Sequence, residues 1–497
     1  MKTRTHPPSR RRFLAAGAAA AASPAVLRAA GRRPNVVLLL PDQMRGQAMG
    51  SMGDTNVRTP NLDRLAGESI HFRNTLANTP VCCPARAILM TGQYCHRNGM
   101  VANDLRLRES HVTIAEVLRG QGYRTGFIGK WHLDGGLRLP GFVPPGDRRQ
   151  GFEFWAANQC SHRHFDNVYF RDASNPVPLG RFEAEGWTDL GLEFLDASRR
   201  DTRPFFLCIF YGPPHDPYGA PEPYMKMYDP DRLKLRPNWR GGERVPGRKD
   251  IAAYYAAVTA IDDQVGRFVR AIDAGGWRDD TIVLFSSDHG DMLGSQGARL
   301  KRKPWEESIL VPGILRYPRL IKQGRLDDAL FSHVDFVPTL LGLCGVNPPA
   351  GLQGVDFSPR IRGRRRPDPE SAYFQIFGPY AGDGTAAGWR GVRTARYSYA
   401  RHRERPWVLY DLKEDPYQQN NLAGLPAAAK LQEKMESMLG QWMKAAGDSW
   451  DFDWQHPVED AGRLYRHRTF YTVGEYLNWA KEHPELDATP PGAGGKR

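Results

Sequence analysis

Four short runs of continuous apolar residues punctuate the chain, and each stops abruptly at polar, chemically versatile side chains. Asn35-Val36-Val37-Leu38-Leu39-Leu40 ends at Pro41-Asp42, and Arg124-Thr125-Gly126-Phe127-Ile128-Gly129 ends at Lys130-Trp131-His132. Phe205 to Tyr211 ends at Gly212-Pro213-Pro214-His215, and Thr281 to Ser287 ends at Asp288-His289-Gly290. Uninterrupted runs of this length read as strands buried on both faces, the pattern of a parallel sheet. Helical patterns lie between them. Thr113-Ile114-Ala115-Glu116 forms a capping box for a helix that stops near Gly120. From Ile251 to Ala274, Tyr254, Val258, Ile261, Val265, Phe268 and Ile272 share one helical face, and Gly275-Gly276 ends it. The alternation predicts an α/β fold: a large central, mostly parallel sheet sandwiched by helices.

In open α/β sheets the binding crevice lies outside the carboxyl ends of the strands. The four runs deliver Asp42, Lys130, His132, His215, Asp288 and His289 to that edge. Taken singly, each is a polar turn residue. Together they predict one site assembled from distant parts of the chain.

Towards the C-terminus the pattern changes. Arg362 to Pro369 is basic, proline-bearing and reads as a surface linker. Beyond it Tyr373, Phe374 and Ile376, then Arg393 to Tyr399, then Trp407 to Tyr410 read as short strands, followed by a helix from about Ala427 to Ala446. This predicts a small α+β subdomain over 371–497 after a main domain over 32–370. Its last stretch, Pro490 to Arg497, is rich in Gly and Pro and is expected to fray.

Composition narrows the class. In 497 residues, 41% apolar and 11% aromatic side chains describe a globular protein with a sizeable core. The formal charge of +13 first suggests nucleic acid, yet Lys2, Arg4, Arg10, Arg11, Arg12, Arg28, Arg32 and Arg33 supply eight of those charges before residue 34. The remainder is mildly basic, which suits an anionic substrate better than a DNA footprint. Ser9-Arg10-Arg11-Arg12-Phe13-Leu14, the alanine-rich stretch to Ala22 and the small residues around Ala29-Ala30-Gly31 make residues 1–31 a signal peptide of twin-arginine type, with a periplasmic or secreted destination. No later run is long enough to span a bilayer, and no cysteine follows the leader to carry a lipid, so no membrane anchor is expected. The six cysteines (82, 83, 95, 160, 208 and 344) are too few for disulfides to be the main scaffold, and the adjacent pair Cys82-Cys83 calls for another role.

That role comes from Cys82-Cys83-Pro84-Ala85-Arg86 with Thr91-Gly92. Pro84 suits the first turn of a helix, which places Cys82 at a helix N-terminus, a position that favours anions. The spacing C-x-P-x-R-x4-T-G resembles the signature of the sulfatase family. Further stretches match it in order: Thr59-Pro60-Asn61-Leu62-Asp63-Arg64-Leu65-Ala66, then Gly129-Lys130-Trp131-His132-Leu133. After them come Ser287-Asp288-His289-Gly290-Asp291 with Lys301 and Glu306-Glu307-Ser308, and Leu409 to Pro416 with Asn420-Asn421-Leu422.

The resemblance implies an alkaline-phosphatase-type fold and hydrolysis of sulfate esters, with a sulfated carbohydrate as the expected substrate. It implies that Cys82 is oxidised to formylglycine by a formylglycine-generating enzyme. One hydroxyl of the hydrated aldehyde then attacks sulfur, and the second expels sulfate. A divalent metal is expected on Asp42, Gln43, Asp288 and His289 with the oxygen of residue 82. Oxygen-rich ligation favours Ca²⁺, while the imidazole leaves Mn²⁺, Fe²⁺ or Zn²⁺ open. Arg86 and Lys130 would polarise the hydrate, His132 would act as base, and His215 and Lys301 would bind sulfate and protonate the leaving oxygen. Lys301 is preferred to Lys303 because it lies five residues before Glu306. Asn103, His162, His164 and Asn167 are candidate substrate contacts. Gln43 stands where many relatives carry aspartate, and the Asp-Gln, Asp-His combination also fits relatives that act on choline sulfate or phosphonate monoesters. A phosphonate monoester or phosphodiester hydrolase, or a binding protein with unmodified Cys82, are the alternatives.

Overall fold

The computed structural model describes residues 33–103, 105–135, 140–364, 367–377 and 388–450, and the backbone of 457–460 and 463–466. The predicted signal peptide and the expected fraying end lie outside the described residues. The described residues from Pro34 onward belong to one compact unit.

Its centre is an eight-stranded sheet. In chain order the strands are β1 (Asn35–Pro41), β2 (Ile70–Leu76), β3 (Arg124–Lys130) and β4 (Phe154–Asn158). A two-residue ladder of β5 (Val168–Tyr169) with β6 (Val177–Pro178) stands apart. The sheet continues with β7 (Phe205–Tyr211), β8 (Thr281–Phe285), β9 (Ile314–Arg316) and β10 (Arg325–Ser332). The order across it is β10-β2-β9-β8-β1-β7-β3-β4, with β9 antiparallel to both neighbours and every other pairing parallel. The continuous apolar runs explain the central position of β1, β7 and β8. Val36, Leu38 and Leu40 pack into one core, and Val37 and Leu39 into the core on the opposite face.

On the first face lie α2 (Cys82–Thr91), α3 (Ile114–Gly120) and α6 (His333–Cys344); on the second lie α1 (Pro60–Gly67), α4 (Glu183–Ser198) and α5 (Arg248–Ala274). The capping box at α3 is present: the Glu116 amide donates to Thr113 Oγ1 at 3.3 Å and the Thr113 amide to Glu116 Oε2 at 2.7 Å. Helix α5 begins three residues earlier than its apolar face requires, because Asp250 accepts from the Gly247 amide at 2.9 Å and caps its first turn. The six residues predicted to share its buried stripe all do so.

A second sheet, β11 (Ser371–Ile376), β12 (Trp389–Thr394), β13 (Tyr397–His402) and β14 (Pro406–Asp411), is an antiparallel meander covered by α7 (Ala429–Ala446). Tyr373, Trp389 and Val408 join the apolar core on the α2/α6 side of the main sheet, so the two sheets share one core. A hairpin of β15 (Pro457–Asp460) and β16 (Arg463–Arg466) follows. Among the described residues no helix is long and apolar enough to cross a membrane.

Candidate active site

The carboxyl ends of β1, β3, β7 and β8 lie side by side, and α2 points its N-terminus at them. Cys82 is the first residue of α2, and the Cys83 amide donates to Asn103 Oδ1 at 2.9 Å. One turn on, the buried Arg86 guanidinium reaches three strand ends at once. It donates to Asp42 Oδ2 at 3.0 Å, to Asp288 Oδ2 at 3.1 Å and to the Lys130 carbonyl at 2.5 Å. Lys130 Nζ adds a bond of 2.7 Å to Asp42 Oδ2. Burial and Cys82 work to raise the Asp42 pKa, but Lys130, His215 and Arg86 outweigh them and hold it well below the usual carboxylate range. Asp288 goes the other way, raised by burial and by Asp42. Arg86 and Lys130 therefore engage one oxygen of Asp42, and Arg86 one of Asp288, and the other oxygens turn towards Cys82 and His289.

Asp42, Cys82, Asp288 and His289 form a fully buried cluster whose ligand-type atoms lie within 4.8 Å of one another. His289 Nε2 stands 3.3 Å from Cys82 Sγ, 3.5 Å from Asp42 Oδ1 and 3.6 Å from Asp288 Oδ1. Its Nδ1 faces the Gly290 carbonyl at 3.0 Å, which can only accept, so the proton sits on Nδ1 and Nε2 carries the lone pair. Two carboxylate oxygens, an imidazole nitrogen and the side chain of residue 82 make a donor set that fits a divalent cation. Burial pushes the His289 pKa down, but Asp288 and Cys82 bring it up overall, as expected where a positive charge is favoured. Burial also pushes the Cys82 thiol up, yet Lys301, Lys130 and His289 hold it far below the usual thiol value. The pocket stabilises negative charge at that atom.

Above Cys82 opens a cavity of about 280 Å³. Asn103, His132 and His162 line it together with His215 and Lys301. Lys301 Nζ donates to Gln43 Oε1 at 2.6 Å and to His215 Nε2 at 2.8 Å, while His215 Nδ1 donates to the Asp216 carbonyl at 2.7 Å. His162 stacks on His215 with ring centroids 4.3 Å apart, and burial and the neighbouring His215 lower its pKa to about 4. Gln43 and His132 both have left-handed backbones, at φ 70° and 58°. Such conformations cost roughly 1–3 kcal/mol apiece and persist where the surroundings fix them. For Gln43 those surroundings are Asp288 Oδ1 on its amide at 3.0 Å and the Tyr254 hydroxyl on its carbonyl at 3.0 Å.

Three predicted residues sit differently from the picture drawn from sequence. The Gln43 side chain serves Lys301, Asp291 (2.6 Å) and Asp216 (3.3 Å). His164 lies behind the cavity: it bonds Glu183 at 2.8 Å and the His215 carbonyl at 2.8 Å, both acceptors, and so steadies the His215 loop as an imidazolium. Asn167 accepts from Asn158 at 3.1 Å and is likewise absent from the cavity lining. The structure adds Asp216, Leu300 and Arg302 to that lining. Asp216 and Arg302 each adjoin a predicted residue; no spacing or pattern singled them out.

A buried cysteine at a helix N-terminus, a donor set that fits a divalent cation and a ring of cationic side chains at the edge of a mostly parallel sheet are the features of a hydrolase of anionic esters with alkaline-phosphatase-like architecture. The Sulfatase family model matches residues 34–346, and the model of the N-sulphoglucosamine sulphohydrolase C-terminal region matches 294–445. An ulvan-active sulfatase of Formosa agariphila is 40% identical over 84% of this chain and 82% of that relative. An endo-4-O-sulfatase of Bacteroides thetaiotaomicron is 30% identical over 84% and 93%. A solved structure from B. thetaiotaomicron glycosaminoglycan metabolism superimposes with a TM-score of 0.77 at 29% identity, covering 84% of this chain and 98% of that one. The chain belongs to the sulfatase family and is a sulfuric ester hydrolase.

Proposed function

We propose that the protein removes sulfate from a sulfated carbohydrate, with residue 82 acting as formylglycine and a divalent cation, calcium by our assignment, on Asp42, Asp288 and His289. The observation that carries this is the convergence of Cys82 Sγ, His289 Nε2 and one oxygen each of Asp42 and Asp288 beneath a cationic cavity. The carbohydrate assignment draws on the relatives, described as acting on ulvan or as an endo-4-O-sulfatase. The Cys82 sulfur stands in for the oxygen of the aldehyde hydrate. That hydrate supplies two hydroxyls, one to displace the alcohol from sulfur and one whose deprotonation releases sulfate. A bound cation supplies Lewis-acid stabilisation of the charge on the sulfate oxygens.

The chain's own residues divide the remaining work. Arg86 orients Asp42 and Asp288 so that one oxygen of each faces residue 82. Lys130 neutralises Asp42 at the strand edge. His132, which lines the cavity together with Cys82, takes the proton of the second hydroxyl. Lys301, held in place by His215, binds the sulfate oxygens and delivers a proton to the leaving oxygen. Asn103 and His162 flank the sulfate. Residues 1–31 carry the protein to the periplasm, where a formylglycine-generating enzyme's product meets its substrate.

The test is the mass of the tryptic peptide holding Cys82, from protein made in a host with that maturation enzyme. Conversion of the thiol to the aldehyde lowers the mass by about 18 Da, and the aldehyde reacts with hydrazides. An unmodified thiol in fully active protein would overturn the nucleophile assignment. Elemental analysis of the same sample identifies the metal.

A further inference from the structure

Asp216 is out of place in a cavity built for an anion. It is the only acid among the described residues of the lining, beside Lys301 and Arg302. Its side chain is about one third exposed (35%). Oδ1 accepts from Gln43 Nε2 at 3.3 Å and lies 3.2 Å from His215 Nδ1, whereas Oδ2 takes no hydrogen bond from any described residue. Burial works to raise its pKa, but His215 and Lys301 outweigh it, and Asp216 stays ionised.

Gln43 explains how that charge is tolerated. Its Nε2 donates to both Asp291 and Asp216, and its Oε1 accepts from Lys301. A carboxylate at position 43 would set three acids against one another; the amide satisfies two acids and one cation at once. Residues 43 and 216 are thus a matched pair, and the pair leaves one carboxylate oxygen for something in the cavity.

A carboxylate beside a sulfate repels it unless the rest of the substrate brings a hydrogen-bond donor. An aryl ester brings none. A quaternary ammonium brings charge but no hydrogen-bond donor, and none of the aromatic faces that commonly cage one (Phe, Tyr, Trp) is among the described lining residues. A sugar ring brings hydroxyls, and a cavity of about 280 Å³ lies at the small end of ligand pockets, the size of one ring with its ester.

We propose that Asp216 accepts a hydrogen bond from a free hydroxyl on the carbon next to the sulfate-bearing one, so that the substrate is a sugar monosulfate with an unsubstituted neighbouring position. This rests on the carbohydrate-sulfatase reading above. It makes Asp216 a specificity-determining residue.

The experiment is a substrate–variant cycle on mature enzyme with the aldehyde verified at residue 82. Galactose, glucose, N-acetylglucosamine and xylose monosulfates, choline sulfate and 4-nitrophenyl sulfate are assayed. The best sugar sulfate is then made without its flanking hydroxyl, and both sugars are given to wild type, Asp216→Leu and Asp216→Asn. Removing the hydroxyl is expected to cost wild type about 100-fold in kcat/KM and Asp216→Leu no more than about threefold. Asp216→Asn, which keeps the shape and reads the same cycle where the leucine variant folds poorly, falls between them. Equal losses in wild type and variant, or no loss in wild type, overturn the inference. So does a preference for choline sulfate that disappears in Asp216→Leu. Cleavage of 4-nitrophenyl sulfate with no sugar sulfate cleaved overturns this inference together with the carbohydrate assignment. Cleavage of sugar sulfates without the hydroxyl effect overturns this inference alone. Failure on every sulfate overturns the sulfatase reading itself.

Discussion

Lys301 Nζ stands 2.8 Å from His215 Nε2, although 86 positions separate the two residues. Because His215 Nδ1 already donates to the Asp216 carbonyl, Nε2 is an acceptor, and the pair holds its mobile proton on the lysine side. Gln43 fixes the same ammonium at 2.6 Å. The third hydrogen of Nζ remains for the substrate, which suits a group that donates to a leaving oxygen.

Removing that donor should hurt poor leaving groups most. A sugar alkoxide needs a proton as the S–O bond breaks, whereas 4-nitrophenolate leaves without one. Lys301→Ala is expected to lower kcat/KM on a sugar sulfate by about 10²–10⁴-fold and on 4-nitrophenyl sulfate by clearly less. Parallel kinetics on the two substrates check this. Equal losses would show that Lys301 only binds sulfate.

The buried donor cluster predicts a stability effect that does not depend on turnover. Saturating the site at about 1,000 times Kd should stabilise the fold by about 4 kcal/mol. Chelator-treated protein should therefore melt at a lower temperature, recover on adding millimolar Ca²⁺, and lose that response in Asp288→Asn. Calorimetry with and without Ca²⁺, Mn²⁺ and Zn²⁺ tests the cluster and ranks its occupants. An identical Tm in all samples would count against a metal site.

The residues at the strand ends were legible because the signal is local. An apolar run that halts at Asp42, Lys130 or Asp288 states both the strand and its polar end. In the main sheet, the strands other than these and β7 carried no such mark. In β2 a charged Arg73 interrupts the run, and β9 is only three residues long. The roles of Gln43, His164 and Asn167 depend on where loops fold back, and sequence spacing does not encode that. Gln43 meets Asp216 and Asp291 across 173 and 248 positions, and only with a left-handed backbone. Gly129 belongs to the Gly129-Lys130-Trp131-His132-Leu133 motif, but its reason is structural: φ is 101°, and a Cβ there would lie 2.0 Å from the Phe210 carbonyl oxygen.

His71 on β2 predicts an acid-sensitive fold. Its side chain is buried, and neither ring nitrogen has a hydrogen-bond partner among the described residues. Burial, reinforced by Arg73, lowers its pKa to about 4 from 6.5. The unfolded chain therefore binds a proton more readily than the native one. The stability tied to neutral His71 is complete above pH 6.5 and is lost as pH falls towards 4. The loss is on the order of 3 kcal/mol. Denaturant unfolding at pH 7 and pH 4 measures it, and His71→Phe should flatten that part of the profile. An unchanged pH slope in the variant would remove His71 from the explanation.

The C-terminal sheet holds the segment that carries Lys301, and this can be separated from simple stability. Arg393 on β12 clasps Glu306 through two bonds, Nε to Oε1 at 3.2 Å and Nη2 to Oε2 at 3.0 Å, with both side chains nearly buried. Trp389 on the same strand donates to the Arg302 carbonyl at 3.1 Å, directly after Lys301. Breaking a buried pair strands a charge, so Arg393→Ala should destabilise by about 3–5 kcal/mol, whereas replacing both partners by apolar residues of similar size is close to neutral. The double variant Arg393→Met with Glu306→Leu is therefore expected to regain most of the lost Tm. It should not regain kcat on a sugar sulfate, because the anchor five residues from Lys301 is gone. Thermal unfolding and kinetics on the single and double variants distinguish the two roles. Activity that returns in step with Tm would mean that the C-terminal sheet supports the fold and leaves the position of Lys301 to the main sheet.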